Sequence, residues 1–156
     1  MKKIILLWLP IFLVPAFVWA ISYDKISDTD IVDSAGDTTV ASGQTDWVTA
    51  ISETPLNAGS DEWFVIVNLQ VSVGFTTGTG DAYVHIRKSP DNGSTLDTEG
   101  NGTYLGTIEC VTGTTITRTF QVYDFDYLDV GLENTDAAQS VTWSAQYDGY
   151  KITGLD

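Results

Sequence analysis

The run WFVIVNLQVSV, residues 63–73, has an apolar residue at every odd position, namely Trp63, Val65, Val67, Leu69, Val71 and Val73. Asn68, Gln70 and Ser72 fall on the other side. A period of two is the repeat of an extended chain, whose side chains point alternately to opposite faces, so the run predicts a strand with one face buried and one wet. Val141, Trp143, Ala145 and Tyr147 repeat the scheme against Thr142, Ser144 and Gln146, as do Leu128, Val130 and Leu132 against Asp129 and Gly131. Shorter runs rich in Thr, Val, Ile and aromatics at 47–51, 82–87, 104–111 and 115–122 bring the expectation to seven strands. Turn signals separate them at 57–59, 77–80, 91–93, 99–102, 134–136 and 148–149, where Gly, Asn and Asp cluster. No segment carries apolar residues at helical spacing over three turns. Seven or eight strands without helices to cover a parallel sheet predict an all-β fold. It is an antiparallel β-sandwich in one domain, with the jelly roll as its candidate topology.

The first twenty residues read differently. Lys2 and Lys3 precede an uninterrupted apolar run from Ile4 to Ile21, and Val18-Trp19-Ala20 presents small residues to a signal peptidase cutting after Ala20. Residues 1–20 are therefore expected to be a secretory signal, with a retained membrane anchor as the alternative, since the run sits at the short edge of what spans a bilayer. Pro10 and Pro15 interrupt a helix, no basic cluster follows the run, and no lipobox cysteine is present. Residues 21–45, rich in Asp, Ser, Thr and Gly, are set apart as a polar N-terminal arm or an edge strand. Residues 46–156 form the expected sandwich domain.

The chain has 7 basic and 21 acidic residues; without Lys2 and Lys3 the balance is 5 against 21, a net of −16 on 136 residues. Nucleic acid and anionic membrane surfaces repel such a molecule, and no membrane contact is expected once the signal is cleaved. The acids are scattered, as on a solvated surface. Cys110 is alone, so no intrachain disulfide forms. Alternation along 104–110 places it on the side of Tyr104 and Ile108 as a buried thiol.

Ser89-Pro-Asp-Asn-Gly-Ser-Thr-Leu96 resembles the Asp box of sialidases, S-x-D-x-G-x-T-[WF], with Ser89, Asp91, Gly93 and Thr95 in place and Leu96 where the aromatic belongs. The resemblance implies a folded hairpin turn, which in families carrying the box is repeated around a propeller and remote from the catalytic centre. A sialidase also needs an arginine cluster for the substrate carboxylate; beyond residue 20 this chain has Arg87 and Arg118. The motif predicts a turn rather than a reaction. The sole histidine, His85, lies inside a strand without a G-x-S-x-G elbow, so no catalytic residue is assigned and the protein is expected not to be an enzyme. Asp97, Glu99 and Asn101, with Gly102, follow the ligand spacing of a calcium loop, and Glu109 supplies a closing acid one position late, so calcium is the candidate cofactor. Sequons at Asn92 and Asn101 share the same region.

The run FDYLDVGLENTDAAQSVTWSAQYDGYKI, residues 125–152, resembles the closing strands of small β-sandwich proteins among phage and extracellular structural proteins. That resemblance implies a structural or assembly role. The expected protein is a secreted or surface-displayed non-catalytic subunit that pairs with copies of itself in an extracellular filament, a surface layer or a virion. The alternative is a carbohydrate-binding module stacking sugars on Phe64, Phe125, Tyr127 or Tyr150; a glycoside-active enzyme is the residual class.

Overall fold

Ten β-strands and no α-helix make up the described residues, which are 21–32, 38–48, 56–58, 62–89 and 102–155 of the computed structural model. The strands are β1 (Ile21–Val32), β2 (Thr38–Val40), β3 (Thr45–Trp47), β4 (Leu56–Asn57), β5 (Trp63–Phe75), β6 (Ala82–Ser89), β7 (Thr103–Ile108), β8 (Thr114–Phe125), β9 (Tyr127–Asn134) and β10 (Val141–Leu155). They form two five-stranded sheets. Sheet A runs β1-β10-β5-β8 with β2 beside β10, and sheet B runs β3-β9-β6-β7 with β4 beside β9. All pairings are antiparallel. With β1 and β2 taken as the first strand and β3 and β4 as the second, the first lies beside the eighth, the second beside the seventh, the third beside the sixth and the fourth beside the fifth. That order is the jelly roll, a long antiparallel ribbon rolled into two facing sheets.

Six of the seven expected strands are present as β5 to β10; of the seventh, expected at 47–51, Trp47 ends β3 and 49–51 lie outside the described residues. Of residues 21–45, set apart as arm or edge strand, the strands β1 and β2 join the sandwich: β1 pairs with β10 from Ile21↔Leu155 to Val32↔Ala145, and β2 lies along the same edge from Thr38↔Trp143 to Val40↔Val141. Ile31, Val32 and Val40 anchor the edge in the core. The Asp148-Gly149 pair, a turn signal in the sequence, lies within β10 opposite Asn68 and Val67.

The core sits between the sheets. Val67, Leu69, Val71, Val73, Phe75 and Trp143 of sheet A meet Val84, Ile86, Leu128, Val130 and Leu132 of sheet B, all essentially inaccessible. Each such side chain contributes about 1.5–3 kcal/mol by leaving water.

Besides three register shifts along β1, one irregularity in β5 and one in β7 re-sort the faces. The β5–β10 register shifts between Tyr150 and Lys151, and the ladder passes over Val65 and, opposite it on β8, Asp124, which has φ 55°. Odd positions therefore face the core only from Val67 onward, while Phe64, rather than Trp63 or Val65, is buried. In β7 the register shifts between Val84↔Gly106 and His85↔Tyr104, leaving Leu105 bulged; Tyr104 is exposed while Ile108 is buried. Tyr104 and Ile108 thus lie on opposite sides, contrary to the simple alternation. Cys110 follows β7, half-buried, with Sγ 3.5 Å from the carbonyl oxygen of Gly78.

One carboxylate fastens two turns at the same end. Asp136 accepts four backbone N–H groups, from Ala138 and Gln139 at Oδ1 (2.8 Å each) and from Thr79 and Gly80 at Oδ2 (2.8 and 3.0 Å). The β5–β6 turn is tied to the β9–β10 turn through this side chain. Hydrogen bonds to the ionised form, Ala138 foremost and then Thr79, Gly80 and Gln139, hold its carboxyl well below the usual carboxylate range.

Candidate functional site

The two outer faces of the sandwich differ in chemistry. On sheet B, register aligns Trp47, Gly131, His85 and Tyr104 in one row across β3, β9, β6 and β7, and Thr45, Glu133, Tyr83 and Thr107 in the next. His85 Nε2 lies 2.8 Å from Glu133 Oε2. An ionised carboxylate only accepts, so this nitrogen carries the proton. Arg87 pairs with the wholly buried Asp129, and its guanidinium lies 3.8 Å from the ring centroid of Trp47. Trp47 lies across Gly131, where no side chain stands in its way. Tyr83 and Tyr104 meet edge to face at 5.7 Å. The sole histidine is thus built into a strand-to-strand hydrogen bond beside the ring of Tyr104.

The outer face of sheet A is nearly uncharged across β5, β10 and β8, and β1 adds Asp30 opposite Gln146 and Lys25 opposite Tyr150 at its margin. Its rows run Gly74–Thr142–Thr115, Ser72–Ser144–Thr117, Gln70–Gln146–Thr119, Asn68–Asp148–Gln121 and Ile66–Tyr150–Tyr123, on β5, β10 and β8. Of these fifteen residues only Asp148 bears a charge. The amides are tied to one another. Tyr123 donates to Gln121 (2.7 Å), Gln121 to Asn68 (3.2 Å), Asn68 to Asp148 (2.6 Å), and Gln146 to Gln70 (3.1 Å). Tyr123 and Tyr150 are about half exposed. The polar positions were legible as the wet side of each strand; Tyr123 was not singled out, because a tyrosine in a strand carries no mark of the face it takes.

Sheet A also ends in two long edges. β1 and β8, twelve residues each, pair only inward among the described residues. Beyond residue 20 the basic residues are Lys25, Arg87, Lys88, Arg118 and Lys151. Arg87 pairs with Asp129, Lys151 with Glu62 at 2.7 Å, and Lys88 donates to the Tyr123 carbonyl at 2.6 Å. Lys25 on β1 and Arg118 on β8 have no charged partner among the described residues.

The residues singled out from sequence are placed as follows. Phe64 and Phe125 are not surface platforms: they stack on each other at 4.9 Å in the core, 1% and 4% exposed, turned inward by the irregularity at Val65 and Asp124. Tyr150 is exposed on sheet A. Tyr127 is half-buried at the start of β9, its hydroxyl pushed up first by burial and then by the charge of Asp129. Ser89 is buried at the end of β6. Asp91, Gly93 and Thr95 of the Asp-box motif, the sequon Asn92, and Asp97, Glu99 and Asn101 of the calcium loop lie outside the described residues. Residues 1–20 do as well. Glu109 is exposed just beyond β7. Among the described residues no three His, Cys, Asp or Glu side chains gather as a metal site, and no helix is long and apolar enough to cross a membrane.

No family model and no curated protein matches the chain. Solved structures do resemble it. The structure of infectious bursal disease virus, Gx strain, superposes with a TM-score of 0.52 at 11% identity over 85% of this chain and 32% of that one. A CBM22-1 xylan-binding domain from Paenibacillus barcinonensis gives 0.40 at 12% identity, over 88% and 99%. The disulfide-linked pili of Bacillus endospore appendages give 0.35 at 19%, over 87% and 90%. The chain thus spans about a third of the viral chain it matches, and these likenesses concern the fold.

Proposed function

We propose that this protein is a non-catalytic structural subunit, secreted or displayed at a surface. It repeats in an extracellular filament, surface layer or virion through pairing of the β8 edge of one copy with the β1 edge of the next. The observation that carries this reading is the pair of twelve-residue edges on opposite sides of one sheet. Each is a row of backbone donors and acceptors about 40 Å long, regular on β8 through Tyr123 and bulged at three points on β1, and each offers a template for a further strand. Different surfaces on opposite sides make a head-to-tail contact, which propagates rather than closing in a pair.

Charge selects the pairing. From Thr114 to Tyr123, β8 carries one charge, Arg118, whereas β1 presents exposed Asp24 and Asp30 beside Lys25. Arg118 stands opposite Val71, on the core-facing side of its strand, where a charge ordinarily blunts an edge. It sets arginine against arginine in a β8–β8 contact and finds acids in a β8–β1 contact. The strong net negative charge opposes every such contact, so assembly needs screening salt or cations.

The experiment is charge reversal. Arg118→Glu should leave the circular dichroism spectrum unchanged and abolish oligomers seen by light scattering and electron microscopy. Adding Asp24→Arg and Asp30→Arg should restore them. Wild-type protein that stays monomeric at high concentration with salt and calcium overturns the reading, as does an Arg118→Glu protein that assembles normally.

A further inference from the structure

We infer that the outer face of sheet A is a binding track for a linear, neutral polysaccharide lying along the strands. Two hollows and an aromatic platform succeed one another there. The first, about 250 Å³, is lined by Gly74, Thr115 and Thr142 with the turn residues Thr76 and Gly113. The second, about 170 Å³, is lined by Gln70, Ser72, Ser144, Gln146 and Asp30. The row Tyr150–Ile66–Tyr123 closes the track, with both tyrosines about half exposed.

From Gly74 to Ile66 the track is eight residues of extended chain, roughly 27 Å. That is room for several sugar rings. The two tyrosines flank Ile66 two strands apart, roughly 10 Å, and offer the apolar surface that the faces of pyranose rings stack on. Between the ends the groups are hydroxyls and carboxamides, which both donate and accept and so match sugar hydroxyls of either sense. The Tyr123–Gln121–Asn68–Asp148 chain fixes these amides before any ligand arrives, which lowers the ordering cost of binding.

Charge complementarity identifies the occupant as neutral. In a chain with 21 acidic residues, one falls among the fifteen residues that β5, β10 and β8 give this face, and no lysine or arginine does; β1 adds one charge of each sign at the margin, Asp30 beside Gln146 and Lys25 beside Tyr150. An anionic polymer finds one lysine, Lys25, at the margin of the track, against two carboxylates and a repelling protein around it; a basic peptide finds Asp148 and Asp30 on a face otherwise made of hydroxyls, amides and rings. A polyhydroxyl chain meets neither obstacle. The track is the flat of the sheet, whereas edge pairing uses the outward backbone groups of β1 and β8, so a subunit whose edges are engaged still presents it, and an array would bind a long chain at many points.

The test is affinity electrophoresis of the full chain in gels containing soluble xylan, mixed-linkage β-glucan or dextran, with alginate as the anionic control. At least one neutral polymer should retard the wild type, and alginate should not. Tyr123→Ala and Tyr150→Ala remove half-exposed rings, and Gln146→Ala removes an amide lining the second hollow; each should weaken retardation about tenfold. Tyr104→Ala, which removes an exposed ring on sheet B, should leave it unchanged. Retardation by none of the neutral polymers overturns the inference. So does stronger retardation by alginate, or equal loss in all four variants.

Discussion

Placing a methyl group at Gly131 should change the stability of this protein in a direction set by a residue 84 positions away in sequence, Trp47. A β-carbon at Gly131 would stand 2.7 Å from Trp47 Cε3 and 2.9 Å from Cδ2 and Cζ3, its three nearest neighbours. Carbon atoms rest at about 3.5–4.0 Å, so the ring must lift by roughly 0.8 Å. Its far end has little freedom: Cη2 abuts Gly102, and the Arg87 guanidinium sits 3.8 Å from a ring centroid. A shift of this size forfeits about a quarter to a half of each contact it opens. Overpacking of this kind costs about 1–3 kcal/mol, and the lower chain entropy of alanine in the unfolded state returns about 0.4–1. Gly131→Ala should therefore destabilise by about 1–2 kcal/mol. In a Trp47→Ala background the obstacle is gone, and because Gly131 does not have positive φ, the same change should stabilise by about 0.4–1 kcal/mol. Urea denaturation followed by circular dichroism, with the slope held constant, measures both arms. Equal destabilisation in the two backgrounds would show that the indole does not lie on Gly131 and would remove the aromatic row of sheet B.

Asp136 should make stability acid-sensitive. Its folded pKa lies below the unfolded value of about 3.9, so its contribution is complete above that value and is lost as pH falls through the folded pKa. Asp136→Asn should melt lower than wild type near neutral pH, and the gap should narrow at about pH 3 or below; parallel melting curves at every pH would contradict the four-fold N–H clamp. For the stretch from Asp97 to Glu109, calorimetric titration with calcium should give a binding heat that Asp97→Ala and Asn101→Ala both weaken. No heat and no rise in melting temperature would reduce these acids to surface charge.

Strand existence was legible because a half-buried strand writes its two faces into the chain at a period of two, and β5, β9 and β10 do so plainly. Sheet order was less so: pairing Ile21 with Leu155 rests on contacts across the whole chain, and β1 alternates weakly because Asp24, Lys25, Ser27, Thr29 and Asp30 are all exposed. A single inserted residue inverts every side chain beyond it yet leaves no compositional trace. This is why Phe64 and Phe125 read as surface aromatics and fold inward. The wet positions Asn68, Gln70, Ser72, Thr142, Ser144 and Gln146 were visible as such; their convergence into one face required the register.

Because the first strand of the jelly roll lies against the last, β1 has no seat until β10 is in place, and β10 in turn rests on β5. Closing so long a loop comes late in folding, and proteins ruled by such distant pairings fold in milliseconds to seconds rather than microseconds. For that interval the inner edge of β10 stands open beside core positions waiting for Ile31 and Val32. The molecule's greatest exposure to its neighbours is therefore a matter of time rather than of final shape, and slowing the docking of β1 would lengthen it.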